Sequence, residues 1–501
     1  MKLIYNTLLA LIPFMVVACN QQIDPSQLYQ IDKDGLYGYI DENGNVVVEP
    51  QYIYASLYFS KDGTSVVVID TVTTYDESSI YGENRDTFFV KYNYITTDGQ
   101  LVFDHDYQES IGMDELLMSY GNVEWFLHNF CRNHWFSHGL AIVSDTITWK
   151  KGYMDKRGNI IIPCQYTKAT RFIDKVASVE KITNEDPLIP IKHYGIIDLE
   201  GNEVCDFIFT TMSEIMKDRA FAAISFSSWK SGIDTIAGEV GKDDDGNVYI
   251  DKSKKQIVER DVDEPFFGLK YYLINSKGHI ITELGMTHTG SGYSDDGISV
   301  MVPNRLGEFF GLGYEFLDKD GNYLEPLNEE ELEFHHKELN DPKCLGYLTK
   351  DIDIWSASYF ENGFSGVQIN NDTWLYLDKN LIGWGTTERE PYQYCGPFNY
   401  GIAPVKIDGK WGYVDTTLTI TIPCQYDSCY VACKELCKVY SSKSDEVKVV
   451  SYIRRNGEIV WQNTIVSSFM DRYKPSKPLS NWAMNKKNKN ANKMSKLNNT
   501  S

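Results

Sequence analysis

One unit recurs along the chain. Gly38-Tyr39-Ile40-Asp41-Glu42-Asn43-Gly44-Asn45-Val46-Val47-Val48-Glu49-Pro50-Gln51-Tyr52 returns as Gly152-Tyr153-Met154-Asp155-Lys156-Arg157-Gly158-Asn159-Ile160-Ile161-Ile162-Pro163-Cys164-Gln165-Tyr166. It returns again as Gly412-Tyr413-Val414-Asp415-Thr416-Thr417-Leu418-Thr419-Ile420-Thr421-Ile422-Pro423-Cys424-Gln425-Tyr426. Weaker copies lie at 94–103, 195–204, 273–281, 316–324, 376–383 and 452–461, so the chain carries about nine units. A unit this short buries too little apolar surface to fold alone. Stacked units share a continuous core, so the repeat dictates an array.

The unit reads as strands. Short β-type runs are bounded by Gly. Gly44, Gly158, Gly201, Gly278, Gly321 and Gly457 follow a turn residue three positions earlier, where a hairpin loop needs positive φ. Leu381 and Leu418 replace that Gly in two units, and those turns are expected to be built differently. The Pro of Ile-Pro-Cys-Gln-Tyr has no N–H to donate, so it ends a strand or sits on an edge. A second motif precedes the first, as Phe136-Ser137-His138-Gly139-Leu140-Ala141-Ile142-Val143 and Phe398-Asn399-Tyr400-Gly401-Ile402-Ala403-Pro404-Val405. Each unit is thus about three short strands in a meander. With 34 Tyr, the chain is rich in residues that suit strands. The expected class is mainly β, an array of short β-meander repeats with small helical insertions. The array is either solenoid-like or propeller-like. Irregular units favour the open form, since ring closure wants regular blades.

Lys410-Trp411-Gly412-Tyr413-Val414-Asp415, with Gly401-Ile402-Ala403-Pro404-Val405 before it and Ile422-Pro423 after it, resembles the WG repeat of bacterial proteins. Tyr37, Tyr194 and Lys151 stand at the Trp position in other units. The resemblance spans roughly 28–462 with interruptions and implies no catalytic residue or ligand.

The N-terminus suggests where the array resides. Lys2, an apolar run from Leu8 to Val17 and a small residue before Cys19 resemble a bacterial lipoprotein signal. That resemblance implies cleavage before Cys19 and acylation of Cys19. The expected organisation is a signal at 1–18, a tether at 19–27, the array at 28–468 and a disordered Lys/Asn-rich tail at 469–501. Insertions fall near 111–135, with apolar residues at helical spacing, and near 238–264, charged and expected as an exposed loop. The expected place is the cell envelope, periplasm-facing or surface-exposed, on a membrane through the lipid. A balance of 48 basic to 70 acidic residues, net −22, argues against a nucleic-acid partner.

Candidate chemistry yields no site. His128, Cys131, His134 and His138 have metal-ligand side chains at close spacing, but His138 is a variable position of the Phe-x-x-Gly motif. Cys424, Cys429, Cys433 and Cys437 lack the Cys-x-x-Cys pairs of zinc ribbons, and Cys429 and Cys433 are left as a disulfide or two thiols. Cys424 matches Cys164, and Cys437 matches Ala141, as small residues of the repeat. Asp243-Asp244-Asp245-Gly246-Asn247 has Gly241 and Lys252 where a calcium loop needs oxygen ligands. No phosphate loop or nucleophile motif occurs. No catalytic, metal or cofactor residue is therefore expected. The expected role is a binding or scaffold module for an envelope protein or glycan. An envelope glycan hydrolase with a carboxylate pair in an insertion, and a spacer without a ligand, are the alternatives.

Overall fold

The computed structural model describes residues 28–74, 87–112, 123–184, 191–229, 233–236, 239–242, 248–251, 256–259, 267–285, 288–303, 314–325, 341–347, 354–370, 373–386, 390–443 and 447–466. Cys19, the 1–18 and 19–27 segments, Asp243–Asn247 and the 469–501 tail lie outside these residues.

Among the described residues the repeats fold into nine antiparallel sheets, numbered in chain order: sheet 1 within 29–52, sheet 2 within 54–112, sheet 3 within 140–166, sheet 4 within 168–209, sheet 5 within 211–285, sheet 6 within 288–318, sheet 7 within 344–384, sheet 8 within 394–426 and sheet 9 within 428–466. Sheet 1 comprises Tyr29–Lys33, Leu36–Ile40 and Val46–Tyr52. The fullest repeats have four strands rather than the expected three, because a two-residue strand precedes the meander. Sheet 8 is the pattern, with Tyr394–Cys395, Ile402–Ile407, Lys410–Asp415 and Ile420–Tyr426. Sheet 9 repeats it with Ser428–Cys429, Leu436–Ser442, Val447–Arg454 and Ile459–Val466. Sheet 5 is the largest, with eight strands.

The sheet geometry explains the Gly of the motif. In sheet 3, Tyr153 pairs with Ile162, yet Lys151 pairs with Tyr166, so the last strand bulges over Gly152. A Cβ on Gly152 would stand 2.5 Å from the Ile162 carbonyl and 2.8 Å from the Cys164 nitrogen. Sheet 8 has the same register, Tyr413 with Ile422 and Trp411 with Tyr426, over Gly412. Pro163 and Pro423 fall in the bulged segment, where no ladder N–H is lost.

Leu381 and Leu418 do not change the turn. Both adopt the left-handed conformation at φ 56°. Leu418 N–H donates to the Asp415 carbonyl at 2.8 Å, as Gly44 N–H does to Asp41 at 3.1 Å. A side chain at positive φ costs about 1–2 kcal/mol. Both leucines are buried at 4% exposure, which offsets it by about 1.5–3 kcal/mol.

The 111–135 insertion supplies a helix, α1, Val123–Asn133. Glu124 lies in its first turn and Arg132 in its last, matching the helix dipole. Leu127, Phe130 and Cys131 enter the core. The other insertion differs from the expected loop. It contains the strands Glu239–Lys242, Val248–Asp251 and Gln256–Glu259, which extend sheet 5. Its short apolar runs, Val248-Tyr249-Ile250 and Ile257-Val258, suit strands despite the charge around them.

The array closes on itself, which irregular units and insertions had argued against. In five sheets, the Tyr two residues before the turn position donates its hydroxyl to a backbone carbonyl of the next sheet. Tyr39 reaches Ser56 at 2.9 Å, Tyr153 reaches Thr170 at 2.7 Å, Tyr376 reaches Gly396 at 2.9 Å and Tyr413 reaches Tyr430 at 2.6 Å. Tyr452 of sheet 9 makes the same bond to Gln30 of sheet 1 at 2.5 Å. Around it, Glu435 N–H donates to the Tyr29 hydroxyl at 3.2 Å, Asn463 to the Asp32 carbonyl at 2.9 Å and Arg454 to Asn43 at 3.1 Å. Tyr29, Ile31 and Ile40 share a core with Leu436 and Tyr452. Among the described residues, the insertions extend strands or lead into a sheet, which leaves the contact between sheets 9 and 1 free to close the ring.

Candidate functional site

The second motif forms the inner turns. Ser137 and Leu140 exchange backbone bonds at 2.8 and 3.1 Å, closing a two-residue turn over His138 and Gly139. Both are at positive φ, 54° and 80°, as a primed turn requires. Sheet 4 turns the same way on Asp174 and Lys175, at φ 52° and 68°.

Inner turns of three consecutive sheets enclose a cleft of about 290 Å³, lined by Lys61, Asp62, Phe136, Ser137, His138, Ile173 and Asp174. Phe136 and Ile173 are buried and make its apolar wall, while Lys61, His138 and Asp174 are exposed at its rim. Asp62 is a structural member: it accepts from Gly139 N–H at 3.4 Å and lies 3.6 Å from the Lys156 ammonium. Among the described residues, neither Lys61 nor Asp174 has an ion-pair partner. Ser137 and His138 do not form an activated nucleophile. The Ser137 hydroxyl donates to the Phe172 carbonyl, so His138 Nδ1, 3.2 Å away, can only donate to that oxygen. The cleft can therefore hold a polar ligand between opposite charges, over an apolar wall.

The ligand-type residues of the 128–138 stretch are taken apart. His128 Nδ1 faces the Tyr54 hydroxyl at 3.3 Å, and burial together with Arg132 pushes its imidazole down to about 4. Cys131 is buried, and desolvation raises its thiol well above the usual value. His134 Nε2 lies 2.6 Å from Glu109 and Nδ1 lies 2.8 Å from the Phe130 carbonyl. Lys151 completes the group on Glu109, and the Ser144 hydroxyl donates to it at 3.2 Å. Burial alone would raise the Glu109 carboxyl, but His134 and Lys151 hold it at about 2. This closed cluster ties α1 to sheets 2 and 3, a partnership that sequence spacing did not signal.

α1 also reaches further. Tyr37 of sheet 1 donates to Glu124 at 3.1 Å. Arg132 lies 3.4 Å from Glu214, in the lead-in to sheet 5, where Arg171 joins it at 3.3 Å beneath Trp135. A helix that touches sheets 1, 2 and 5 of a ring lies toward its axis.

Of the cysteines, Cys429 and Cys437 are buried, and burial raises both thiols, that of Cys437 to about 12. Cys429 is a thiol, not half of a disulfide with Cys433. Cys164 and Cys424 occupy the same place, partly buried in the bulge above Gly152 and Gly412.

Among the described residues, no helix is long and apolar enough to cross a membrane. Among curated proteins, none matches the sequence. Solved structures similar to the chain include a eukaryotic initiation factor, at 6% identity and TM-score 0.44 over 88% of this chain and 97% of that one. Apo AztD from Citrobacter koseri aligns at 10% identity and TM-score 0.25 over 87% and 97%. The extracellular domain of BT4673 from B. thetaiotaomicron aligns at 10% and 0.17 over 90% and 74%. Overlaps this loose say nothing about what the chain does. The family model described as the WG containing repeat matches residues 37–70, 152–181, 392–411 and 411–431. These segments cover strands and turns of sheets 1, 2, 3, 4, 8 and 9, so the repeats there match the WG repeat model.

Proposed function

We propose that this protein is a non-catalytic binding or scaffold module of the cell envelope, held to a membrane by acyl chains on Cys19. Its partner is an envelope protein or glycan. The observation that carries the reading is the cleft between the inner turns of sheets 2, 3 and 4. There Lys61 and Asp174 are opposite charges without ion-pair partners among the described residues, on a frame fixed by Asp62. A ring of sheets presenting variable turns on a rigid frame suits recognition. The signal-like segment ending at Cys19 supports the envelope location.

Two experiments test the two halves. Cys19→Ser releases the protein from the membrane fraction; a variant that stays bound and processed defeats the anchor. Lys61→Ala with Asp174→Ala abolishes recovery of envelope partners in a pull-down, while leaving the melting temperature unchanged. Equal recovery by the variant and the wild type defeats the cleft.

A further inference from the structure

Two places after the Gly of each Asp-x-x-Gly turn, or after the Leu that replaces it, the chain enters the last strand of its meander. At that place stand Ile420, Ile459, Val46, Leu101 and Ile160, in sheets 8, 9, 1, 2 and 3, and all five are exposed. Elsewhere the same place holds the ion-paired Glu203 in sheet 4, buried Ile280 in sheet 5, half-buried Tyr323 in sheet 6 and buried Gly383 in sheet 7. Because sheet 9 meets sheet 1, the five aliphatic residues lie on consecutive sheets. Over sheets 9, 1, 2 and 3 they are also close-set, since each turn seats on the preceding sheet. A Cβ on Gly44 would stand 3.6 Å from Trp461, on Gly99 3.2 Å from Val47 and on Gly158 3.5 Å from Phe103. An exposed aliphatic arc over neighbouring sheets differs from singly scattered surface residues and marks a contact.

Two observations say what the arc meets. Sheet 1 is its middle member, and sheet 1 is where the chain from Cys19 joins the ring. The register fixes the end at which it joins: Tyr29 pairs with Ile40, and Ile40 pairs with Val46. Tyr29 and Val46 thus stand in one row, two strand spacings or about 10 Å apart. The chain enters the ring at the arc's own end. Residues 19–27 span at most about 30 Å. Acyl chains on Cys19 therefore keep a bilayer close to the arc's centre.

We propose that the arc docks on the surface of the bilayer that holds the Cys19 acyl chains. The inference rests on the acylation proposed above. The acyl chains bind, and the arc orients. Once the tether has brought the ring to the surface, the aliphatic side chains settle at the headgroup boundary and fix which end of the ring faces it. The Phe-x-x-Gly turns lie at this end too, since Leu140 pairs with Asp155. The cleft between the inner turns of sheets 2, 3 and 4 lies at the margin of the arc and meets its partner beside the bilayer.

The test is photocrosslinking of the full chain, isolated with its native N-terminal processing and reconstituted into vesicles of phosphatidylethanolamine and phosphatidylglycerol. p-Benzoylphenylalanine replaces Ile160 on the arc or, as the control, Val72, an exposed aliphatic residue at the far end of sheet 2. Flotation reads the anchor, and mass spectrometry reads phospholipid adducts. The label at Ile160 gives several-fold more adducts than the label at Val72. Leu101→Asp with Ile459→Asp, both at exposed positions, lowers the Ile160 adducts to the Val72 level and leaves flotation intact. A chain that floats with equal adducts at both ends overturns the docking and leaves the anchor standing. So do Ile160 adducts that the double variant does not change, since the tether alone then accounts for them, and Ile160 adducts to protein in place of lipid. A chain that does not float overturns the anchor, and the docking with it.

Discussion

Sheets 8 and 9 are joined by the chain, whereas sheets 9 and 1 are not, yet the two junctions are built alike. Tyr413 and Tyr452 stand at equivalent positions and donate to carbonyls of the following sheet. The seam adds the edge-to-face contact of Tyr29 with Tyr452, with ring centres 5.8 Å apart. The unit interface is therefore self-sufficient. Covalent connection sets the order of the sheets, and side-chain complementarity closes the ring.

The largest effect should come from a methyl group at the seam. Gly44 is at φ 85°, and a Cβ there collides with the Val460 carbonyl of sheet 9. Gly158, its equivalent between sheets 2 and 3, meets side-chain atoms, the Tyr107 hydroxyl at 3.1 Å and the Phe103 ring at 3.5 Å. Gly44→Ala should cost about 3–4 kcal/mol, positive φ and overpacking combined. Gly158→Ala should cost about half of that, both read by urea unfolding. Equal costs would mean that the seam is no tighter than a connected junction.

Acid should act on one junction and spare the other. Glu109 joins sheets 2 and 3 through charge, while the seam hydrogen bonds described above are accepted by backbone carbonyls, a tyrosine hydroxyl and an asparagine amide. The Glu109 carboxyl is held near 2 against an ordinary 4.5, so its stabilisation is present above about 4.5 and is lost as pH falls toward 2. Full loss is about 3 kcal/mol. Hydrogen exchange should open residues 107–155 before residues 29–52 as pH drops; the reverse order would refute the assignment.

A smaller contrast comes from the hydroxyls themselves. Tyr452→Phe and Tyr413→Phe should each cost about 1–2 kcal/mol by leaving a buried carbonyl unmet. Only Tyr452→Phe should raise proteolytic cutting in residues 29–52, because the junction of sheets 9 and 1 has no chain connection and rests on noncovalent contacts alone. The smallest effect is expected for Leu418→Gly. Relief of the left-handed conformation and loss of a buried side chain nearly cancel, for a net cost of about 1 kcal/mol.

Much of the fold was legible because it is local. The Asp-x-x-Gly turns, the Phe-x-x-Gly turns and the helix of the 111–135 insertion follow from periodicity and turn chemistry within a few residues. The bulge could be anticipated from Pro163, but its dependence on Gly152 could not, since it needs the partner strand. Of the cleft, Phe136, Ser137 and His138 belong to a motif visible in the sequence. Lys61 and Asp174 are ordinary surface residues in sequence, 113 positions apart, and only the ring makes them neighbours.

By itself the sequence determined the repeating unit, its strand character and the signal-like segment before Cys19, because each is written in contiguous residues. Tertiary structure alone decided that the array closes, that Glu109 meets His134 and Lys151, and that Leu418 can occupy a glycine's place. Each of these depends on what a side chain meets across space. The energy of such contacts lies in burial and complementarity, which sequence spacing does not record.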